Sequence, residues 1–304
     1  MDVVTFSRPY GAETDYEQMR ELLVESFAAT GPPDYCSLGD LDWWRYTTGD
    51  IPDAAINARL WFTAPGKLAG FAWPGQAQVE LLVRSRQRTH TLEGDMLTWA
   101  EEERRGRGGE SLTLTAWAFA DDLERTALLR DRGYTRTAPA LAYDYNFREL
   151  AASSLPAVDL PPGYAVRHVR GEVDVEQRVA VHRDAFAPSR MTVAKHRAVM
   201  AAPTYRADLD LVVVAPDGTF AAYCLVWYDT ANQYGVFEPV GCHSAHRQRG
   251  LGKAVMAEGL RRLAALGART AAVNSLHGAV PANRLYQSVG FRPLDVNYAW
   301  EKRL

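Results

Sequence analysis

Cysteine is scarce in this 304-residue sequence: Cys36, Cys224 and Cys242 are too few and too scattered for a disulfide framework or a zinc site. Reduced, buried thiols and no metal are the expectation. Also missing is any window approaching the roughly eighteen uninterrupted apolar residues that a membrane span needs. The start, MDVVTFSRPYGAETDYEQ, has neither the basic end nor the apolar run of a secretory signal. These absences predict a cytoplasmic protein that does not enter a membrane. Charge of either sign is not in excess: 34 Lys and Arg against 37 Asp and Glu give −3 without long like-charge runs, so duplex nucleic acid finds no basic footprint. What is present is 47% hydrophobic residues, enough for a core in each of two ordinary domains.

The stretch NFRELAASSLPAVDLPPG (146–163) is rich in Pro, Ala and Ser, has no sustained periodicity, and divides the chain nearly in half. Taken as a linker over 147–163, it separates a domain at 1–146 from one at 164–304. The second half reads as a strand (164–170), helices (174–186 and 192–200), a hairpin (210–215 and 220–228) turning through Pro216, Asp217 and Gly218, and a strand (234–242). A helix (251–266), a strand (270–275), a helix (281–289) and a final strand near 295–302 follow. The first half repeats the order: strand 3–9, helix 14–27, hairpin 58–75, strand 77–85, helix 92–104, strand 111–119, helix 122–134. An offset of 158 residues lays VELLV (79–83) on FEPVG (237–241), with Glu80 on Glu238. An offset of 157 lays LLRDRGY (128–134) on LYQSVGF (285–291). The fold class expected is α/β, as two copies of one mixed-sheet domain.

Between a strand and a helix of the second half stands AHRQRGLGKAV (245–255). A helix N-terminus carries unsatisfied N–H groups and about half a positive charge. Gly250 and Gly252 let backbone approach an anion, and Arg247 and Arg249 add charge, which together make a pyrophosphate cradle. A plain helix-entry turn is the competing reading of a lone Gly-Leu-Gly. The spacing is not that of a nucleotide P-loop, since Lys253 is followed by Ala254, nor of a dinucleotide fingerprint, where Val255 would have to be glycine.

RQRGLG (247–252) resembles the Arg/Gln-x-x-Gly-x-Gly signature of the GNAT acetyltransferase superfamily, and ANRLYQSVGF (282–291) resembles that family's late helix. With the strand order, the resemblance covers nearly all of 164–304 and identifies the chain as a tandem member with a degenerate first repeat. It implies acetyl-CoA as donor, its pyrophosphate on the N–H groups around Arg247, Gln248, Arg249, Gly250, Leu251, Gly252 and Lys253. It also implies a pantetheine arm in a V-shaped gap between the strands at 234–242 and 270–275, meeting main chain near Val240 and Cys242. Asn283 resembles a family asparagine at the pantetheine. Many members carry another asparagine where this chain has Ala279, a place that Asn274 can fill only weakly.

Acetyl transfer to an amine needs a neutral amine, a polarised carbonyl and a protonated leaving thiolate. Tyr286 stands at the family's position for the general acid, and a phenol with pKa near 10 can protonate a thiolate whose conjugate acid is near 8.5. Packing of its ring is the alternative. Glu238 lies in an apolar strand, where a carboxylate is costly unless used; it is either the base or a carboxylate that only binds a cationic substrate. His243 is a relay candidate or a strand-end histidine. No histidine–acid pair is discernible around Cys242, so direct transfer is expected rather than an acyl-cysteine. In the aromatic-rich DYCSLGDLDWWRYT (34–47), Trp43, Trp44 and Tyr46 line an acceptor pocket or an interdomain seam, or, as the more ordinary account, pack a core.

These readings describe an acetyl-CoA-dependent N-acetyltransferase of a small-molecule amine. A non-catalytic acyl-CoA-binding or sensing module is the alternative, and the presence of both Glu238 and Tyr286 argues against it. One acetyl-CoA per chain is expected, because the 158-residue offset puts Leu92 at the place of Gly250 and Thr89 at that of Arg247.

Overall fold

Strand β1 (Val4–Pro9) opens the first half, in a computed structural model that describes residues 4–47, 57–63, 66–109, 112–138, 141–151 and 154–304. Helices α1 (Glu13–Thr30) and α2 (Leu38–Thr47) follow, then β2 (Arg59–Thr63), β3 (Lys67–Pro74), β4 (Val79–Val83), α3 (His90–Gly106), β5 (Thr113–Phe119), α4 (Leu123–Asp131), β6 (Thr135–Arg136) and β7 (Ala142–Glu149). The second half continues with β8 (Ala165–His168), α5 (Val175–Ala185), α6 (Val193–Met200), β9 (Asp210–Val214), β10 (Phe220–Asp229), β11 (Tyr234–Cys242), α7 (Leu251–Ala265), β12 (Thr270–Leu276), α8 (Val280–Ser288) and β13 (Arg292–Arg303). The β9–β10 turn forms where expected: Gly218 takes φ +87°, and Asp217 Oδ1 accepts from Thr219 N at 3.0 Å. No helix among the described residues is long and apolar enough to cross a membrane.

The fold is mixed α/β, with β1-β2-β3-β4 in one sheet and β5-β13-β7-β12-β11-β10-β9-β8 in a second, where β6 also pairs with β13. The two halves repeat closely. Adding 157 to the bounds of β5 and α4 gives those of β12 and α8. Gln78 bridges Thr115 in parallel; 158 and 157 residues further on, Val236 pairs with Ala272, also in parallel.

The halves exchange their last strands. β7 pairs along β12 from Tyr143↔Leu276 to Glu149↔Thr270, while β13 pairs along β5 from Asn297↔Phe119 to Arg303↔Thr113. This corrects the expected linker, because 147–149 belong to β7 and lie deep in the second sheet; residues 152 and 153 of that stretch are outside the described residues. The strand had been hidden by its polar residues. Asp144, Asn146 and Arg148 are all buried. Asn283 Nδ2 donates to Asp144 Oδ2 at 2.8 Å, Asn146 Nδ2 donates to Ser275 Oγ at 3.2 Å, and Arg148 donates to the Val289 carbonyl, so each of the three polar side chains finds a partner inside, although Asn146 Oδ1 itself has none among the described residues.

Helix α7 lies on this sheet through Leu251, Val255, Leu260 and Leu263, all buried. Gly259 sits against the Phe237 ring, which an added Cβ would approach to 2.6 Å, so the helix packs close to β11 and its N-terminus is held over the end of that strand.

Candidate active site

β11 and β12 run parallel but pair only at Tyr234↔Thr270, Gly235↔Ala271 and Val236↔Ala272, although both strands continue beyond. Divergence starts at a bulge. Leu225 alone lies between Cys224 and Val226 on β10, opposite two residues, Glu238 and Pro239, on β11. The extra residue bends the strand, and Pro239 has no N–H to offer a neighbour. Trp227 Nε1 fixes the bulge by donating to the Glu238 carbonyl at 2.7 Å. His243 N donates to Ala221 O at 2.9 Å, so by antiparallel alternation Val240 and Cys242 turn their N–H and C=O away from β10 and into the gap. Arg247 Nε, 3.4 Å from the Cys242 carbonyl, lies on that side.

Helix α7 begins at the mouth of this gap. Gly250 is its N-cap at φ +77°, Gln248 also lies in the left-handed region at +63°, and no side chain caps the helix. Among the described residues, the backbone N–H groups of Gln248 to Lys253 find no protein acceptor before Ala254 N bonds Gly250 O at 3.0 Å. Arg247, Arg249 and Lys253 are exposed and free of ion pairs among the described residues; Arg249 Nη1 donates to Tyr164 Oη at 2.9 Å. The two glycines serve different needs. Gly250 has open space around an added Cβ and is required by its backbone angle, whereas a Cβ on Gly252 would stand 3.1 Å from Leu285 on α8. Close packing on α8 is thus a further demand at Gly252, beside the anion approach expected there. The Leu251 side chain is in the core, which leaves only its backbone at the mouth.

The first half has the same gap without the cradle. Thr89 caps α3 with its hydroxyl, accepting from Leu92 N at 3.1 Å. Arg84 pairs with Glu25, and Arg88 with Asp122 at 2.7 Å. Leu92 itself is buried in the core, so the sequence alignment that put it in the anion's place is displaced there; the cap and the ion pairs occupy the site instead.

Tyr286 is buried among Leu251, Val255 and Phe291, and its hydroxyl has no hydrogen-bond partner among the described residues. Burial first, then the charge of Glu238, pushes the phenol well above its ordinary pKa and keeps it a proton donor. Glu238 is half-buried and likewise unpartnered among the described residues. Burial, with Asp40 adding to it, raises its carboxyl to about 8. Asn283 departs from expectation: its amide donates to Asp144 and accepts from Ser275 Oγ at 2.5 Å, which ties α8 to β7 and β12. Asn274, beyond the last β11–β12 pair, lines a cavity between the halves together with Glu238. His243 stands 3.6 Å from Asp184 and accepts from Ala245 N at 3.2 Å, at the strand exit. Cys242 donates to Ala221 O at 3.4 Å, and burial raises its thiol, so it is a poor nucleophile.

That cavity, of about 240 Å³, holds what the sequence did not disclose. Glu238 and Asn274 reach it from the second half; Asp34, Asp40, Glu80 and Trp44 reach it from the first, with Trp117 and Tyr143 beside them. In the 34–47 stretch, Trp44 lines this cavity and meets Trp73 in ring contact at 5.9 Å, while Trp43 and Tyr46 pack against the cluster that holds Phe119, Tyr145 and Trp227. Glu80 is raised to about 8 by burial, against the pull of Arg125 and with a push from Asp40. Its correspondence with Glu238 was legible; that both face one chamber was not.

The sequence matches the acetyltransferase (GNAT) family over residues 178–291. A mycothiol acetyltransferase of Kineococcus radiotolerans is 30% identical over 250 residues, 77% of this chain and 78% of that one. One of a Nocardioides species is 27% identical over 259 residues, 79% and 83% of the two chains. Among solved structures, a tandem GNAT protein from the clavulanic acid biosynthesis pathway shares the fold with a TM-score of 0.71 at 20% identity, over 98% of both chains. A GCN5-related N-acetyltransferase from Sphaerobacter thermophilus does so at 0.68 and 20%, over 98% and 95%. The chain belongs to the acetyltransferase (GNAT) family as a tandem member, an N-acetyltransferase that draws on an acyl-CoA donor.

Proposed function

We propose that the protein transfers the acetyl group of acetyl-CoA directly to the amine of a small molecule, using the second half as catalytic domain and the first half as the opposite wall of the acceptor site. The observation that carries this reading is Glu238: a carboxylate unpartnered among the described residues, at the bulge where the strand gap opens and on the wall of an acidic cavity between the halves.

Glu238 takes a proton from the incoming ammonium, directly or through one water, and holds the amine with its lone pair free. The amine nitrogen then bonds the thioester carbonyl carbon, and the carbon–sulfur bond breaks. Tyr286 Oη gives its proton to the departing thiolate, the second amine proton passes through water to restore the Tyr286 phenol, and Glu238 releases the first proton to solvent, so that acetamide and thiol are the neutral products. Backbone groups of Val240 and Cys242 suit the pantetheine amides, and the N–H groups from Gln248 to Lys253, with Arg247 and Arg249, suit the pyrophosphate. Asn274, on the cavity wall, is better placed to orient the acceptor than the donor.

The test is thiol release from acetyl-CoA against a mixed panel of small amines, with one arm drawn from the mycothiol system named by the relatives. Amine-dependent release is expected. Tight acetyl-CoA binding with no release from any amine would favour a sensing module.

A further inference from the structure

Resting on that reading of Glu238, we infer that the acceptor is a small molecule with two ammonium groups: one is presented to Glu238 for transfer, and the second is held by Glu80 on the first-half wall. Elsewhere the first half pairs its buried carboxylates with arginine: Asp15 with Arg8 at 2.6 Å, and Glu93 with Arg125. At the cavity it does not. Four carboxylates, Asp34, Asp40, Glu80 and Glu238, line a space of about 240 Å³, and no Lys, Arg or His lines it among the described residues. Asp34 accepts from Tyr234 Oη at 2.9 Å, and Asp40 accepts from Ser37 Oγ at 2.7 Å. Glu80 and Glu238 bond nothing among the described residues, and carboxylates crowded out of water are costly unless a ligand brings the opposite charge.

The wall itself points to a ligand rather than to an idle acidic patch: it offers Trp44, Trp117 and Tyr143, the last two in ring contact at 5.5 Å, as faces for a methylene chain or a cation. The space, about 240 Å³, has room for a short diamine or the diamino end of a longer molecule. A monoamine would leave Glu80 without a partner, its carboxyl neutral at pH 7, and so would forgo the charged pair that a second ammonium makes. Because burial holds Glu80 and Glu238 near 8, a dication also displaces protons when it enters at neutral pH.

Acetyl transfer to 1,3-diaminopropane, putrescine and cadaverine is to be compared with transfer to butylamine and 4-aminobutanol on the full chain. A diamine is expected to exceed the monoamines in kcat/KM by tenfold or more, on the order of one lost charged pair. Glu80→Gln should collapse that ratio, and Glu80→Asp should restore most of it. Calorimetric titration with putrescine in buffers of different ionisation enthalpy is expected to show proton release that Glu80→Gln diminishes. Equal use of diamines and monoamines, or a ratio unchanged in Glu80→Gln, overturns the inference while leaving amine acetylation intact. No transfer to any amine, with putrescine still binding through Glu80, sinks the catalytic reading and leaves the dication site. Neither transfer nor putrescine binding overturns both.

Discussion

Glu80 and Glu238, 158 residues apart in the chain and at equivalent places on β4 and β11, face one cavity from opposite halves. Each half thereby brings a carboxylate to the other, and only the second half adds the cradle and the phenol. Both are held protonated by burial, with carboxyls raised to about 8. A carboxyl that binds its proton more tightly folded than unfolded stabilises fully below its unfolded pKa, and that contribution is lost as pH rises through the folded value.

Thermal unfolding of Glu80→Gln should therefore show a higher Tm than the parent at pH 8.5, where the parent must carry the buried charge. The difference should shrink toward pH 5, where both side chains are neutral. A Tm gap that does not vary over this range would mean Glu80 is better solvated than its burial implies.

For Glu238→Gln, kcat/KM should fall by roughly 10²–10⁴, the usual range for a lost general base. In the parent, kcat/KM should climb as pH rises toward about 8, because Glu238 must be ionised to accept the proton. In the variant that limb should disappear. An unaltered limb would move the role to water or to another group on the cavity wall.

Tyr286→Phe removes the proton donor and keeps the ring that packs against Phe291. The expected result is a kcat lowered by about tenfold or more, with the acetyl-CoA Kd nearly unchanged. Turnover equal to the parent's would reduce Tyr286 to a packing residue.

Gly250 and Gly252 should respond differently to substitution. Asparagine tolerates the left-handed region and valine does not, so Gly250→Asn should bind acetyl-CoA far better than Gly250→Val. Gly252→Val should push Leu285, and with it the helix that carries Tyr286, and so lower kcat as well as affinity. Calorimetry and steady-state rates together separate the two.

Acetyl-CoA titration of the full chain should give one site, lost in Gly250→Val. The helix start of the first half is already capped by Thr89, and its arginines are neutralised by Glu25 and Asp122. A second site surviving that substitution would mean that anion binding there displaces the Thr89 cap.

Much of this was legible in the sequence because it is local. Gly250 marks a helix start, the Pro216–Gly218 segment marks a turn, and the repeat sets Glu80 on Glu238. What escaped depends on partners distant in the chain. AYDYNFRE (142–149) alternates like a strand, but its Asp, Asn and Arg look solvated until Ser275, Asn283 and Val289 are brought to them. Helix α2 is short, and its start is signalled only by Ser37 and Asp40, which bond each other's backbone N–H reciprocally. Asn283 carries a family position without family freedom, since Asp144 comes from the other half.

The exchange of β7 and β13 also sets an order of events during synthesis. β5 emerges early, yet its neighbour is β13, whose pairing residues end at Arg303. At roughly 5–20 residues per second, translation must run for on the order of ten seconds or more after β5 has left the ribosome before its edge is covered. Through that interval, the nascent chain exposes the flank of an aromatic strand, TLTAWAF, with unpaired N–H and C=O groups. The sheet edge that β5 presents is therefore covered only once β13 is available, so the first half depends on the second for its last pairing.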